Sequence, residues 1–395
     1  MKTYDEILNS ISNELNGIPK KYDELYEPGE DHSHFPKRLL DLPKEDRIEY
    51  FDSKRISHKN LDQITNKILT YCSYPVRPIG LIIGPTNVGK TTILEKVVYS
   101  LTMQNIQKME ENAGYIPVGF CEALNSVKKI YPWNYVYKLG YEMLNEGLTK
   151  RGISPSFRGD DTPRMAFIKA LKQRDVKIFQ FDEAHNLIYA ADIQAQHDEL
   201  KTCTNLVNTH FLLYGTYDLI QFINPNSQLG LRTIEYHFQR YLPLEANEED
   251  FSEFCKVLIN FQNFLPVDPP PDLYDKAEFF YFHSAGCIGL LKRWFLKSLS
   301  DALFSNEKGI SEACFRRNSE PEGKLLTLAN EISVGERFFK EQSSTNLFVE
   351  EQIEKKLGIG KDAKQENYSQ NQSKRTRRNK PFRRKPCRDP LVPNQ

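Results

Sequence analysis

The sequence predicts an α/β fold, a mainly parallel sheet covered by helices on both faces. Three observations predict it. From about Ile79 to Leu244, short apolar runs alternate with helix-length amphipathic stretches. One run, GLIIG, leads directly into the segment GPTNVGKT at 84–91. Another, KIFQF, ends in the adjacent acids Asp182 and Glu183.

In order along the chain, residues 1–75 read as a helical extension broken by polar turns, and 61–72 place Leu61, Ile64, Ile68 and Leu69 at helical spacing. The α/β core is expected over 76–246. GLIIG is fully apolar, as a strand buried on both faces must be. The helix TTILEKVVYSLTMQ follows, then a strand in YIPVGFCEAL and a helix in YPWNYVYKLGYEML. VKIFQFDEA is a third strand, a helix at about 193–206 follows, and NTHFLLYGTYDL is a fourth strand. A fifth is expected in YHFQRYLPL at 236–244. Residues 247–340 read as a helical lid. Its helices are interrupted at 267–271, VDPPP, where proline forces an extended link. Residues 341–395 read as a flexible tail, because 361–395 hold almost no aliphatic residue to offset ordering entropy.

Composition narrows the class. At 39% hydrophobic and 27% charged, the chain matches a soluble globular protein, and no apolar run approaches the roughly 18 residues of a membrane helix. The start, MKTYDEILNSISNELNG, is acidic and amphipathic, unlike a signal peptide. Seven scattered cysteines without a CxxC pair argue against zinc or a disulfide framework, and a reducing cytoplasm fits best. The net charge of zero hides a split. Nine Lys or Arg and no acid lie between Lys374 and Arg388, and setting them aside leaves 44 basic against 53 acidic residues. A basic tail on an acidic body points to an anionic partner.

GPTNVGKT fits the phosphate-loop pattern G-x-x-x-x-G-K-[ST] and sits where that loop must sit, after a strand and before a helix. Gly84, Pro85, Thr86, Asn87, Val88 and Gly89 wrap the backbone around the phosphates of ATP, while the helix terminus offers unpaired N–H groups and a positive dipole end. Lys90 is expected on the β- and γ-phosphates, Thr91 on Mg2+, and Thr92 near the α-phosphate. The acids at the end of the 177–182 strand supply the other half of the chemistry. Asp182 is expected to hold Mg2+. Glu183 is expected to polarise the attacking water as general base. The letters DEAH also occur in a helicase motif, but a helicase core needs a second similar domain, and the chain after residue 250 is too short and too helical. His185 has no second histidine at ligand spacing, His197 being twelve residues on, so it is not expected to bind metal.

Thr216 closes the fourth strand, where a polar side chain can sense the γ-phosphate. Arg232 and Arg240 follow, and either can serve as an arginine supplied to a neighbouring subunit's nucleotide. A surface pairing of Arg232 with Glu235 is the plainer alternative. GCIGLLKRW at 286–294 opens a lid helix from which Lys292 or Arg293 can point at the nucleotide.

Taken together, GPTNVGKT, FDEAHNL, YGTYDL, QLGLR followed by FQRYLPL, and HSAGCIGLLKR resemble, in order and spacing, the AAA+ transposition regulators of the TnsC/TniB group over about 35–300. The resemblance implies an AAA+ ATPase that assembles with ATP into a homo-oligomer or helical filament on double-stranded DNA. It implies that the protein links a target selector such as a TniQ-like subunit to the transposase, with the tail as the transposase contact. It places Lys90, Thr91, Asp182, Glu183, Thr216 and Arg232 in the roles given above. Members grip the DNA backbone from the region between the two nucleotide motifs, which here holds Lys128, Lys129, Lys150, Arg151 and Arg158. LKRW departs from the usual single lid arginine, and TIEYHF between Arg232 and Arg240 leaves the finger split between them. Two other readings share the core: a loader or repair ATPase, and a signalling NTPase switch, which expects an effector domain for which the chain has little room.

Overall fold

The computed structural model describes Tyr22 and residues 24–125, 131–145, 162–188, 193–223 and 230–343. The chain divides into two compact units, Met1–Arg337 and Phe338–Gln395. The account below concerns the first.

Two helices precede the sheet, α1 (Lys44–Ser53) and α2 (Lys59–Ser73). The His58 side chain caps α2 by accepting the Leu61 N–H at 3.4 Å, and Leu61, Ile64 and Ile68 are buried along one stripe. Strand β1 (Ile79–Ile83) follows, then α3 (Lys90–Gln104) and the short α4 (Ile106–Glu111). Next come β2 (Val118–Glu122), α5 (Trp133–Leu144), α6 (Pro163–Gln173), β3 (Ile178–Asp182), α7 (Ile193–Leu206), β4 (His210–Gly215) and β5 (Thr233–His237). Thr162 caps α6 with Pro163 at the first helical position, the arrangement that proline's fixed φ favours.

The sheet is parallel throughout, in the order β2-β3-β4-β1-β5. All five residues of β1 are buried. Each large aliphatic among them contributes on the order of 2 kcal/mol by leaving water. Tyr214 and Gln180 are polar yet fully buried, and they satisfy one another: the Tyr214 hydroxyl donates to Gln180 Oε1 at 2.6 Å. The neighbours β3, β4 and β1 bring three loops together at their carboxyl ends, the usual ligand crevice of an open α/β sheet.

The fifth strand departs from expectation. It lies at Thr233–His237, ahead of the 236–244 segment, because it pairs in register with β1 from Ile79–Thr233 to Ile83–His237. It is an edge strand with only Thr233 buried, so its sequence lacks an apolar run.

Beyond the sheet lie α8 (Glu248–Phe264), α9 (Ala277–Ser284), α10 (Ile288–Phe304), α11 (Glu312–Asn318) and α12 (Glu322–Ser343). Asn247 caps α8 by accepting the Asp250 N–H at 3.0 Å, with three acids in the first turn to meet the positive helix end. Helices α8 to α11 build a second core around Phe254, Leu258, Phe280, Leu291 and Phe295, to which Phe51 of α1 and Tyr241 also contribute. The expected break after α8 is present, since 265–276 contains no helix.

Candidate nucleotide site

The phosphate loop leaves β1 and turns into α3. Gly89 has φ 116°, a backbone conformation that a side chain resists, and it directs the first N–H groups of α3 into the loop's concavity. Asn87 also takes a positive φ, 60°, and its carbonyl accepts the Leu290 N–H from the first turn of α10 at 3.2 Å. The lid helix is thus fastened directly to the loop.

A cavity of about 300 Å3 opens here, lined by Thr86, Asn87, Gly89, Lys90, Thr91, Glu183, His185, Thr216, Gly289 and Arg293. Five lining residues come from the phosphate loop and its helix, two from the acidic end of β3, one from the end of β4 and two from the lid. Of the remaining loop residues, Gly84 and Pro85 turn their carbonyls to the Lys90 ammonium, at 3.1 and 2.8 Å. Val88 is buried in the core between sheet and α3. Thr92 lies on α3 outside the lining.

The charges are strongly coupled. Burial pushes the Lys90 pKa down, and the carboxylates of Glu183 and Asp182 oppose that shift. Burial pushes Asp182 up, against the pull of the Thr91 hydroxyl, the Glu183 N–H and Lys90. Thr91 Oγ1 donates to Asp182 Oδ2 at 2.8 Å, and Asp182 Oδ1 accepts the Glu183 N–H at 2.9 Å. Glu183 is raised by burial and then by Asp182, and its Oε2 lies 3.3 Å from His185 Nδ1. Its φ of 50° swings the side chain off the strand line toward the cavity. Thr216 Oγ1 donates to Asp218 Oδ2 at 3.2 Å.

The four basic residues left open by the sequence separate cleanly. Arg293 lines the cavity and its Nη2 donates to Asn87 Oδ1 at 2.6 Å. Lys292, one position away, turns to the opposite side and bonds the Asp52 carbonyl at 2.6 Å. Arg240 follows β5 at the cavity end of the sheet, but it pairs with Glu336 at 2.9 Å and reaches the Tyr281 hydroxyl and the Ala285 carbonyl. Arg232 lies at the other end: its carbonyl accepts the N–H of Ile79, the first residue of β1, while its Nη1 donates to Asn205 at 2.9 Å. The length of β1, roughly 15 Å, separates it from its own phosphate loop. Glu235 bonds Thr233 rather than Arg232. Lys128, Lys129, Lys150, Arg151 and Arg158 lie outside the described residues, as does the basic stretch 374–388.

Among the described residues, no group of three or more His, Cys, Asp and Glu side chains is arranged to hold a metal, and no helix is long and apolar enough to cross a membrane.

A parallel 2-3-4-1-5 sheet, a phosphate loop after its β1 strand, an acid pair on β3 and a helical lid bonded to the loop define an AAA+ P-loop NTPase. Residues 47–242 match the family described as Bacterial TniB protein, and over that segment the chain belongs to this family of TnsC/TniB-type transposition ATPases. Among functionally curated proteins, none matches the sequence. Similar solved structures include the Walker-type ATPase of Pyrococcus abyssi, at 16% identity and TM-score 0.40, covering 78% of this chain and 80% of that one. The Aeropyrum pernix Orc1 protein, solved in complex with DNA, has 13% identity and TM-score 0.45 over 71% and 68%. Cdc6p of Pyrobaculum aerophilum has 15% identity and TM-score 0.39 over 75% and 70%.

Proposed function

We propose that this chain binds and hydrolyses ATP, and that with ATP bound it assembles into an oligomer or filament on double-stranded DNA, linking a target selector to the transposase. The observation that carries the nucleotide part is the convergence of Lys90, Thr91 and Glu183 on one cavity from the ends of β1 and β3, with Asp182 bonded to Thr91 beside it.

Lys90 holds the β- and γ-phosphates, releasing the loop carbonyls it now bonds. Backbone N–H groups at the start of α3 bind the same oxygens. Thr91 and Asp182 offer two hard oxygen ligands 2.8 Å apart, a donor set suited to Mg2+. When bound there, Mg2+ would neutralise charge on the phosphates. Glu183 takes the proton of the attacking water. A carboxylate raised by burial is a stronger base than a solvated one, which suits that role. Thr216 reads the γ-phosphate from the end of β4. Arg293, rather than Lys292, is the lid cation at the nucleotide, because it alone of the two lines the cavity.

Arg232 acts in trans. It stands at the far end of the sheet from its own loop, so the phosphate it neutralises belongs to a neighbouring copy. Arg240 is already committed to Glu336 and the lid. The DNA, selector and transposase parts rest on family membership over 47–242 and on the nine cations between Lys374 and Arg388. Phosphate contacts by Lys128, Lys129, Lys150, Arg151 and Arg158 belong to the same reading and predict affinity that falls steeply with salt.

Negative-stain microscopy of the protein with ATP and plasmid DNA tests the assembly. Helical filaments on duplex that vanish without ATP support it. Closed rings confined to primed or branched DNA would instead indicate a loader.

A further inference from the structure

His185 stands two residues beyond Glu183, in the turn that follows β3, and none of the roles proposed above uses it. The turn is firmly held. Ala184 and Leu187 are fully buried, the Asn186 side chain donates to the Ala123 carbonyl at 2.8 Å, and the Asn186 N–H bonds the Glu183 carbonyl at 2.9 Å. The backbone of His185 presses on the end of β4: a Cβ added at Gly215, the residue before Thr216, would stand 2.9 Å from the His185 nitrogen. From this fixed backbone the side chain lines the cavity, and its Nδ1 lies 3.3 Å from Glu183 Oε2.

A general base on a flexible side chain needs such a neighbour. The Glu183 side chain is 45% exposed against 14% for His185, so the histidine is the fixed member of the pair. The χ1 and χ2 torsions of a glutamate have about three staggered wells each, roughly nine arrangements in all. Only those that turn a carboxylate oxygen toward the attacking water serve proton transfer. An imidazole N–H held at one oxygen selects an arrangement and leaves the other oxygen to take the proton. Burial, and after it the Lys90 charge, holds the His185 pKa below its ordinary value, so at neutral pH the ring is uncharged. It can orient the carboxylate without neutralising it.

We propose that His185 is the positioning residue of the base: its Nδ1–H donates to Glu183 Oε2 and turns Oε1 toward the water that attacks the γ-phosphate. This rests on the reading of Glu183 as general base. The ring proton must sit on Nδ1, the tautomer that an adjoining carboxylate favours. At 3.3 Å the contact is longer than a strong hydrogen bond, and it tightens when water and phosphate bring Glu183 into line. Because the His185 backbone abuts Gly215, the base is anchored to the strand end that carries Thr216. The group that reads the γ-phosphate and the group that activates the water thus share one support. In this role His185 contacts neither phosphate nor metal ion, so its loss spares ATP binding.

The test compares His185→Asn, His185→Gln and His185→Ala in the full-length protein, by ATP turnover with Mg2+ and duplex DNA and by titration of a fluorescent ATP analogue. The side-chain nitrogen of asparagine falls where imidazole Nδ1 stands, whereas that of glutamine falls nearer Nε2. His185→Ala and His185→Gln should lower kcat about tenfold, the loss of one arrangement selected from roughly nine, with KM and ATP affinity unchanged. His185→Asn should keep kcat within about threefold of wild type. Added to Glu183→Gln, His185→Ala should cause no further loss, because the two side chains act as a unit. Wild-type kcat in His185→Ala and His185→Gln, equal losses in His185→Asn and His185→Gln, or a further loss on the Glu183→Gln background overturns the proposal alone. If His185→Ala fails to fold, the contrast between His185→Asn and His185→Gln decides. Wild-type turnover by Glu183→Gln overturns the base assignment and this proposal with it, and absence of turnover in the wild type overturns both.

Discussion

Arg293→Ala, with Lys292→Ala beside it, separates two adjacent cations of the same helix. Arg293 extends into the cavity, bonded to Asn87 of the phosphate loop at 2.6 Å, whereas Lys292 bonds the Asp52 carbonyl on the opposite side. A bound nucleotide offers Arg293 a charged acceptor. A hydrogen bond between charged groups is worth about 1.5–3 kcal/mol. Removing the guanidinium should therefore weaken ATP binding by about 10- to 100-fold. Lys292 reaches no part of the cavity, and its loss should fall within the roughly 0.5 kcal/mol typical of surface changes. The assay is equilibrium titration of a fluorescent ATP analogue with Mg2+, accompanied by thermal melts to confirm folding. Equal losses in both variants, or a larger loss for Lys292→Ala, would refute the assignment of the lid cation.

Glu183→Gln should keep nucleotide affinity but lower phosphate release by about 100- to 10,000-fold, since the amide cannot accept the proton; unchanged turnover would move the base elsewhere. Arg232→Ala should reduce hydrolysis by on the order of 1,000-fold with little effect on ATP binding, and mixing it with Lys90→Ala should restore part of the activity. Absence of rescue at every mixing ratio would argue against action in trans. His58 is buried between the α2 terminus and Tyr241, and burial lowers its pKa from 6.5 to about 4. The unfolded chain therefore binds the extra proton between those values, so stability is present above about 6.5 and lost as pH falls toward 4. From pH 7 to 5 the loss from this group is about 2 kcal/mol. Urea melts should show it in wild type and a shallower dependence in His58→Gln, and identical slopes would contradict it.

What the sequence disclosed follows the range of each signal. GPTNVGKT and the 177–183 strand end are local patterns, and their residues meet in the cavity because β1 and β3 flank β4. Whether Lys292 or Arg293 faces the nucleotide depends on the rotation of α10, which Leu290 sets by bonding Asn87, a contact spanning two hundred residues of chain. Arg232 and Arg240 are eight residues apart, yet β5 carries them to opposite ends of the sheet. The pattern of residues also points too late for that strand, because as a half-exposed edge it lacks the apolar run that marks β1 and β3. The packing of α12 carries no motif at all: Gly335 rests on Tyr217 and Glu336 pairs with Arg240, and neither contact leaves a spacing to read.

The central claim is that the cavity beneath the lid is an ATP-hydrolysing site built on Lys90. Phosphate release from ATP by the purified full-length chain, with Mg2+ and with or without duplex DNA, tests it most directly when paired with Lys90→Ala. The account predicts Mg2+-dependent turnover in the wild type, and loss of both nucleotide binding and turnover in a variant that still folds. Turnover by Lys90→Ala equal to that of the wild type would contradict it.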